Sequence, residues 1–311
     1  MQIQENRTAI PARGRGLLET GSVLILALWS VFFLSALAVA VHVHVASGID
    51  LADHLKHEAT AGWCAKGGAE RALAEVAGAS NRWDGLMNEP GSLRGVALGE
   101  GWFSVYYVRD NGTGLPVTNW GVVGEEGKIN INKAGKGLLE SMLRVAGQVD
   151  AAAASETAAS IVDWRDPNDD VDVLTGGAEG SYYRALSEPY PCHNGDFQSL
   201  NELLLVKGIS RELFWKIAPH LTLYGTGKVN LNAAGLTVLR ILAGASGGVL
   251  PGGDESVARK IVRYREAGNT FQEADAQAIV NSLNKFDSLT AAESGMLLGR
   301  GLMTFVTIRS T

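Results

Sequence analysis

The sequence predicts an α+β fold led by one long N-terminal helix, and three observations point to it. An uncharged apolar run, Ser22 to Val41, is long enough to cross a membrane. Short alternating segments with strand character recur along the rest of the chain. Between them lie longer helical blocks, giving the order long helix, strands, helical block, strand, helical block, strand.

The apolar run comes first. Twenty residues of helix extend about 30 Å, the thickness of a hydrocarbon core. Arg7, Arg13 and Arg15 precede it, and basic residues on one side of a lone span hold that side in the cytoplasm. The run exceeds the apolar core of a cleaved secretory signal, and Val41-His42-Val43-His44-Val45 at its far end lacks a small-x-small cleavage pattern. A cut on the near side, between Gly21 and Ser22, would leave the whole helix on the mature protein. An uncut signal anchor is the alternative. Helical spacing continues from Asp50 to Ala79.

Composition describes a mostly globular remainder, with 46% hydrophobic and 19% charged residues. The net charge of −6 without long like-charged runs argues against a nucleic-acid coat. Thirty-eight glycines are spread through the chain and mark many short connections. The only cysteines, Cys64 and Cys192, are no disulfide scaffold, and no required bridge is expected between them.

Trp102 to Val108 is the best strand, and Met303 to Ile308 reads as a closing strand that ends close to Thr311, compatible with a clipped C-terminus. Leu138 to Asp163 is helical, Leu200 to Ile217 breaks into two short helices at Gly208, and Ser256–Glu266 with Glu273–Leu283 form another pair. Gly127-Lys128-Ile129-Asn130-Ile131-Asn132-Lys133-Ala134 recurs one hundred positions later as Gly227-Lys228-Val229-Asn230-Leu231-Asn232-Ala233-Ala234. Each copy alternates like a half-buried strand and leads into a helix. Asn132 and Asn232 stand where N-caps are expected. A phosphate loop is excluded, because no Ser or Thr occupies the metal position.

The strongest chemical signal is the oxygen-rich loop from Asp163 to Asp172, suited to a hard cation. Asn168, Asp170, Asp172 and Glu179 match EF-loop positions one, three, five and twelve, but Val173 replaces the glycine needed at the sixth. The loop is therefore no EF-hand, and a solvated acidic turn is the competing reading. The histidines form no spaced metal box, and no Gly-x-Ser-x-Gly elbow is present, so catalysis is not expected.

The chain resembles the type II secretion system minor pseudopilin K, or general secretion pathway protein K. The resemblance lies in Ser22 to Trp29, Gly67-Gly68-Ala69-Glu70, Asp163-Trp164-Arg165-Asp166-Pro167, Gly177-Ala178-Glu179 with Tyr182-Tyr183, and Leu203 to Ile209. It extends over nearly the whole chain. It implies a pilin-like long helix on an antiparallel sheet, with a large inserted all-α domain of SAM-like, helix-hairpin-helix-like type. On that basis residues 1–21 form a prepilin leader, 22–46 the transmembrane segment and 47–132 the pilin-like helix and first strands. Residues 133–225 form the inserted helical domain with the acidic loop, and 226–311 a second helical block with the closing strand.

The resemblance also implies calcium, with Asp166, Asn168, Asp170 and Glu179 as its ligands. Asn168 replaces a frequent Asp, and Gly180-Ser181 replace frequent acidic residues, which weakens the expected site. It implies processing at Gly21 and Ser22 by a prepilin peptidase, a single pass through the bacterial inner membrane with the C-terminal domain periplasmic, and assembly with minor pseudopilins I and J at the tip of a pseudopilus. Most pilin-like chains carry Glu as the fifth mature residue, where this one has Leu26. The rival reading is a membrane-anchored helix-hairpin-helix DNA-binding protein, drawn from Leu204 to Ile209 and from the basic residues Arg259, Lys260, Arg263 and Arg265.

Overall fold

A computed structural model describes residues 19–78, 89–110, 116–170, 176–245, 253–299 and 304–308. Helix α1 (Glu19–Gly78) runs unbroken for 60 residues, about 90 Å of helix. It contains the segment apolar enough to span a membrane, whose side chains are exposed. Gly21 and Ser22 lie within its first turn, whereas Arg7, Arg13 and Arg15 fall outside the described residues.

The chain divides into two compact units. One is α1 up to Lys66 with Gly99–Gly101; the other runs from Gly67 to Leu98 and from Trp102 onward. In the second unit the end of α1 meets β1 (Val96–Leu98) and β2 (Gly101–Phe103), which pair as a two-stranded ladder. The glycine pair permits this approach. A Cβ on Gly67 would collide with the Leu98 side chain, and one on Gly68 would sit 2.9 Å from the Phe103 ring. Strands β3 (Tyr107–Asp110) and β4 (Pro116–Asn119) pair antiparallel, with Tyr107 opposite Asn119.

One expected strand is two. Trp102 to Val108 breaks between β2 and β3, because Val105 turns its backbone to loops: its N–H donates to Leu93 O and its carbonyl accepts from Gly121 N–H. The helical run from Leu138 likewise divides into α3 (Lys136–Val145) and α4 (Ala151–Arg165). Gln148, at φ 58°, makes the break, and Asp150 caps α4 by accepting from the Ala152 and Ala153 N–H groups.

The sequence repeat builds two modules on one plan. In the first, β5 (Ile129–Asn130) pairs in parallel with β6 (Leu221–Thr222); in the second, β7 (Val229–Asn230) pairs in parallel with β8 (Val306–Thr307). Helices α3 and α4 of the first module correspond to α7 (Leu236–Ala245) and α8 (Gly253–Glu266) of the second. The closing strand is shorter than expected, and Met303 lies outside the described residues. Ser141 Oγ on α3 donates to Ile241 O on α7 at 2.6 Å, so the modules meet along these helices. Leu139, Met142 and Leu143 join Val238, Ile241 and Leu242 in one continuous core.

Asn132 and Asn232 are not the expected N-caps. Helix α3 starts at Lys136 behind Gly135, three residues too late for Asn132 to reach it. Each Asn instead braces a distant backbone. Asn132 accepts from the Phe197 N–H at 2.8 Å and donates to Phe197 O at 3.0 Å. Asn232 treats Phe271 the same way, at 2.9 and 3.0 Å. The last helix of each pair adds an arginine: Arg165 donates to Ile131 O, and Arg265 donates to Leu231 O at 2.7 Å. Between these fixed points the modules differ. The first carries residues 166–196, the second only 266–270.

Candidate metal centre

The longer connection of the first module holds a carboxylate cluster. Helix α4 supplies Asp163 in its last turn and ends at Asp166, its C-cap. Three residues apart on a helix, these two point the same way. The chain returns through Gly176 and Gly177 to Glu179, which precedes the short helix α5 (Gly180–Arg184). One carboxylate oxygen from each of Asp163, Asp166 and Glu179 lies within 4.8 Å of the others.

Glycine makes the close return possible. A Cβ on Gly177 would occupy the space of the Asp163 carboxylate, and one on Gly180 would lie 3.1 Å from Asp169 Oδ1. Behind the cluster, the Trp164 and Tyr183 rings meet edge to face at 5.0 Å, and the Tyr183 and Tyr190 rings lie 5.4 Å apart. This aromatic floor is dry, with Tyr183 fully buried.

The electrostatics are repulsive. Glu179 is 1% exposed, and neither of its carboxylate oxygens makes a hydrogen bond of normal geometry. Burial, then the charges of Asp163, Asp166 and Asp169, push its carboxyl up to about 7, and the Gly180 N–H offsets this only slightly. A carboxylate buried with so little hydrogen bonding is stabilised by a proton or a cation.

The structure brings Asp166 and Glu179 together and places the other two expected ligands differently. Asn168 lies beside the cluster through Asp166, donating from Nδ2 to Asp166 Oδ1 at 2.8 Å. Its own Oδ1 accepts from the Asp170 N–H at 2.7 Å, closing a local turn that leaves the Asp170 side chain exposed. Asp172 falls outside the described residues. Asp163, outside the ligand set the resemblance implies, completes the cluster, and its helical spacing to Asp166 is its one local signal in the sequence.

The basic groups behind the rival DNA-binding reading do not stand open as a phosphate surface. The basic groups of the two helix-hairpin-helix-like segments are engaged within the chain. Lys207 pairs with Glu156 and Arg259 with Glu255. Lys260 pairs with Glu293 and Arg263 with Asp287. No disulfide joins Cys64 and Cys192 among the described residues. Burial pushes the Cys192 thiol up to about 11, which keeps it protonated.

Residues 124–226 match the family model for type II secretion system (T2SS) protein K. The type II secretion system protein K of Aeromonas hydrophila is 36% identical over 73 residues, 24% of this chain and 22% of that relative. The match thus spans about a fifth of the relative's length. A solved chain of the GspK-GspI-GspJ complex from the enterotoxigenic Escherichia coli type 2 secretion system aligns over 79% of this chain and 84% of that one, at 16% identity and a TM-score of 0.43.

The raised carboxyl of Glu179 fixes a pH dependence for the ion-free chain. A group that holds its proton more tightly when folded stabilises the fold below its unfolded value near 4.5, and that contribution is lost as the pH rises toward 7. In chelator, the melting temperature should fall between pH 5 and pH 7.5, and Glu179→Gln should flatten most of the fall. An equally steep fall in that variant would contradict the assignment.

Proposed function

We propose that the whole chain is a non-enzymatic minor pseudopilin of the protein K family of type II secretion systems, because residues 124–226 match that family's model. The observation that carries this reading is the family match falling on the segment that builds the Asp163–Asp166–Glu179 cluster. The long N-terminal helix suits a single inner-membrane anchor with the remaining chain in the periplasm. The engagement of the basic residues by the chain's own carboxylates favours this reading over DNA binding.

In this reading the cluster is a calcium site. Asp163, Asp166 and Glu179 hold the ion, with Asn168 and Asp169 at its margin. A hard dication supplies the positive charge that three gathered carboxylates lack, and carboxylate oxygens are its preferred donors. Only this segment's order depends on the ion, so its role is structural.

The mature chain starts at Ser22 after peptidase cleavage behind Gly21. It joins minor pseudopilins I and J at the tip of the pseudopilus and initiates or caps it. The support for the tip is Leu26. The fifth-residue glutamate of most pilin-like chains is thought to pair with the N-terminal amine of the subunit above. Leu26 has no charge to offer, and a buried carboxylate is stable only with a partner. A chain with nothing above it needs no such pairing.

Two measurements follow. Intact-mass analysis of the membrane-extracted chain should show loss of the first twenty-one residues, and Gly21→Leu should prevent it; a mature start beyond Ala46 would defeat this assignment. Gold labelling of pseudopili should place the chain at one end, whereas label spread along the shaft would defeat the capping role.

A further inference from the structure

Lys207 lies in the turn that resembles a helix-hairpin-helix motif, yet its contacts run to the segment that carries Glu179. Its Nζ lies 2.8 Å from Glu156 Oε1 on α4 and donates to Gly176 O at 3.1 Å. The same ammonium stands 4.9 Å from the centre of the Tyr182 ring. Its backbone N–H donates to the Tyr183 hydroxyl at 3.3 Å. Gly176 comes just before Gly177-Ala178-Glu179, and Tyr182-Tyr183 come just after. One residue therefore grips the Glu179 segment on both sides.

The neighbouring backbone is shaped for this grip. Gly208, at φ +87°, lies against Thr157 of α4, where a Cβ would collide with the threonine hydroxyl. Gly176, at φ +75°, passes over Glu156, with a notional Cβ 3.4 Å from Glu156 Cγ. Both positions adopt a conformation that favours glycine. Glu156 and Thr157 thus seat the turn and the returning loop side by side on the helix that also supplies Asp163 and Asp166.

We propose that Lys207 is a positioning residue for the cation site, holding the backbone on both sides of Glu179 so that its carboxylate meets Asp163 and Asp166. The inference rests on reading that cluster as a cation site. A lone exposed ion pair contributes little, but here one ammonium and one amide act on three groups of one returning segment, Gly176, Tyr182 and Tyr183, besides Glu156 on α4.

The sign of the effect separates positioning from simple electrostatics. Removing a positive charge near a cation site would by itself tighten binding. Loss of positioning weakens it, and removing a residue that orients a metal ligand costs about 10–100-fold in affinity. The test uses the full-length chain in detergent, titrated with calcium chloride by calorimetry, with amide exchange of residues 177–183 followed in chelator. Lys207→Met should bind calcium about tenfold more weakly and exchange those amides faster, and Lys207→Arg should recover most of both.

Equal or tighter calcium binding by Lys207→Met, or unchanged exchange in that loop, would overturn the proposal. Should Lys207→Met fail to fold, Glu156→Gln removes the ion pair alone and should still speed the exchange of residues 177–183 in chelator, where no ion is bound; unchanged exchange there would overturn it as well. A native chain that binds no calcium would instead overturn the cation reading itself, and this coupling with it.

Discussion

Three carboxylates gathered in one place, two of them buried and one half-buried, repel one another, and much of the first module holds them there. Burial first, and then the neighbouring carboxylates, raise a carboxyl's proton affinity, and together they push the Glu179 carboxyl up to about 7. Helix α4 fixes two of the three rigidly. The third arrives on a loop that must be pressed into place, by Gly177 yielding space to Asp163 and by Lys207 gripping the chain around it. The Trp164, Tyr183 and Tyr190 rings close off water from behind. A divalent cation would turn this repulsive arrangement into an attractive one, so under the proposed cation reading the segment's order and ion binding rise together.

The duplicated frame explains how a strained segment is tolerated. Both modules use the same asparagine brace and the same arginine-to-carbonyl contact, and their helices share one core. In the second module the brace closes a short turn. In the first, the same fixed points carry residues 166–196 between them. The acidic segment is thus an elaboration on a frame that is complete without it. Its repulsion is confined to the last turn of α4 and residues 166–196, which also add Ala178 and Tyr183 to the shared core.

Much of this was legible in the sequence for a physical reason: periodicity and repetition survive without coordinates. The long helix, the Gly208 break and the hundred-residue repeat all follow from spacing and glycine placement. The role of Asn132 and Asn232 did not, because a cap and a long-range brace use the same side chain and differ only in where a distant loop returns. The same holds for Asp163. Its partner Asp166 is local, but Glu179 reaches it only through a return at Gly177 that no spacing announces. Asp170, acidic and in the right stretch, is drawn away because its own N–H closes a turn on Asn168. Lys207 sits in a turn that resembles a helix-hairpin-helix motif, and only the fold shows the carboxylate on α4 that occupies it.

The account stands on the Asp163–Asp166–Glu179 cluster holding a cation, and terbium luminescence tests this directly, because Trp164 adjoins Asp163 and can sensitise an ion bound there. Excitation of tryptophan in the full-length chain should produce terbium emission that calcium displaces, and Asp163→Asn combined with Glu179→Gln should abolish it. Emission of undiminished strength from that double variant, or none from the native chain, would contradict the account.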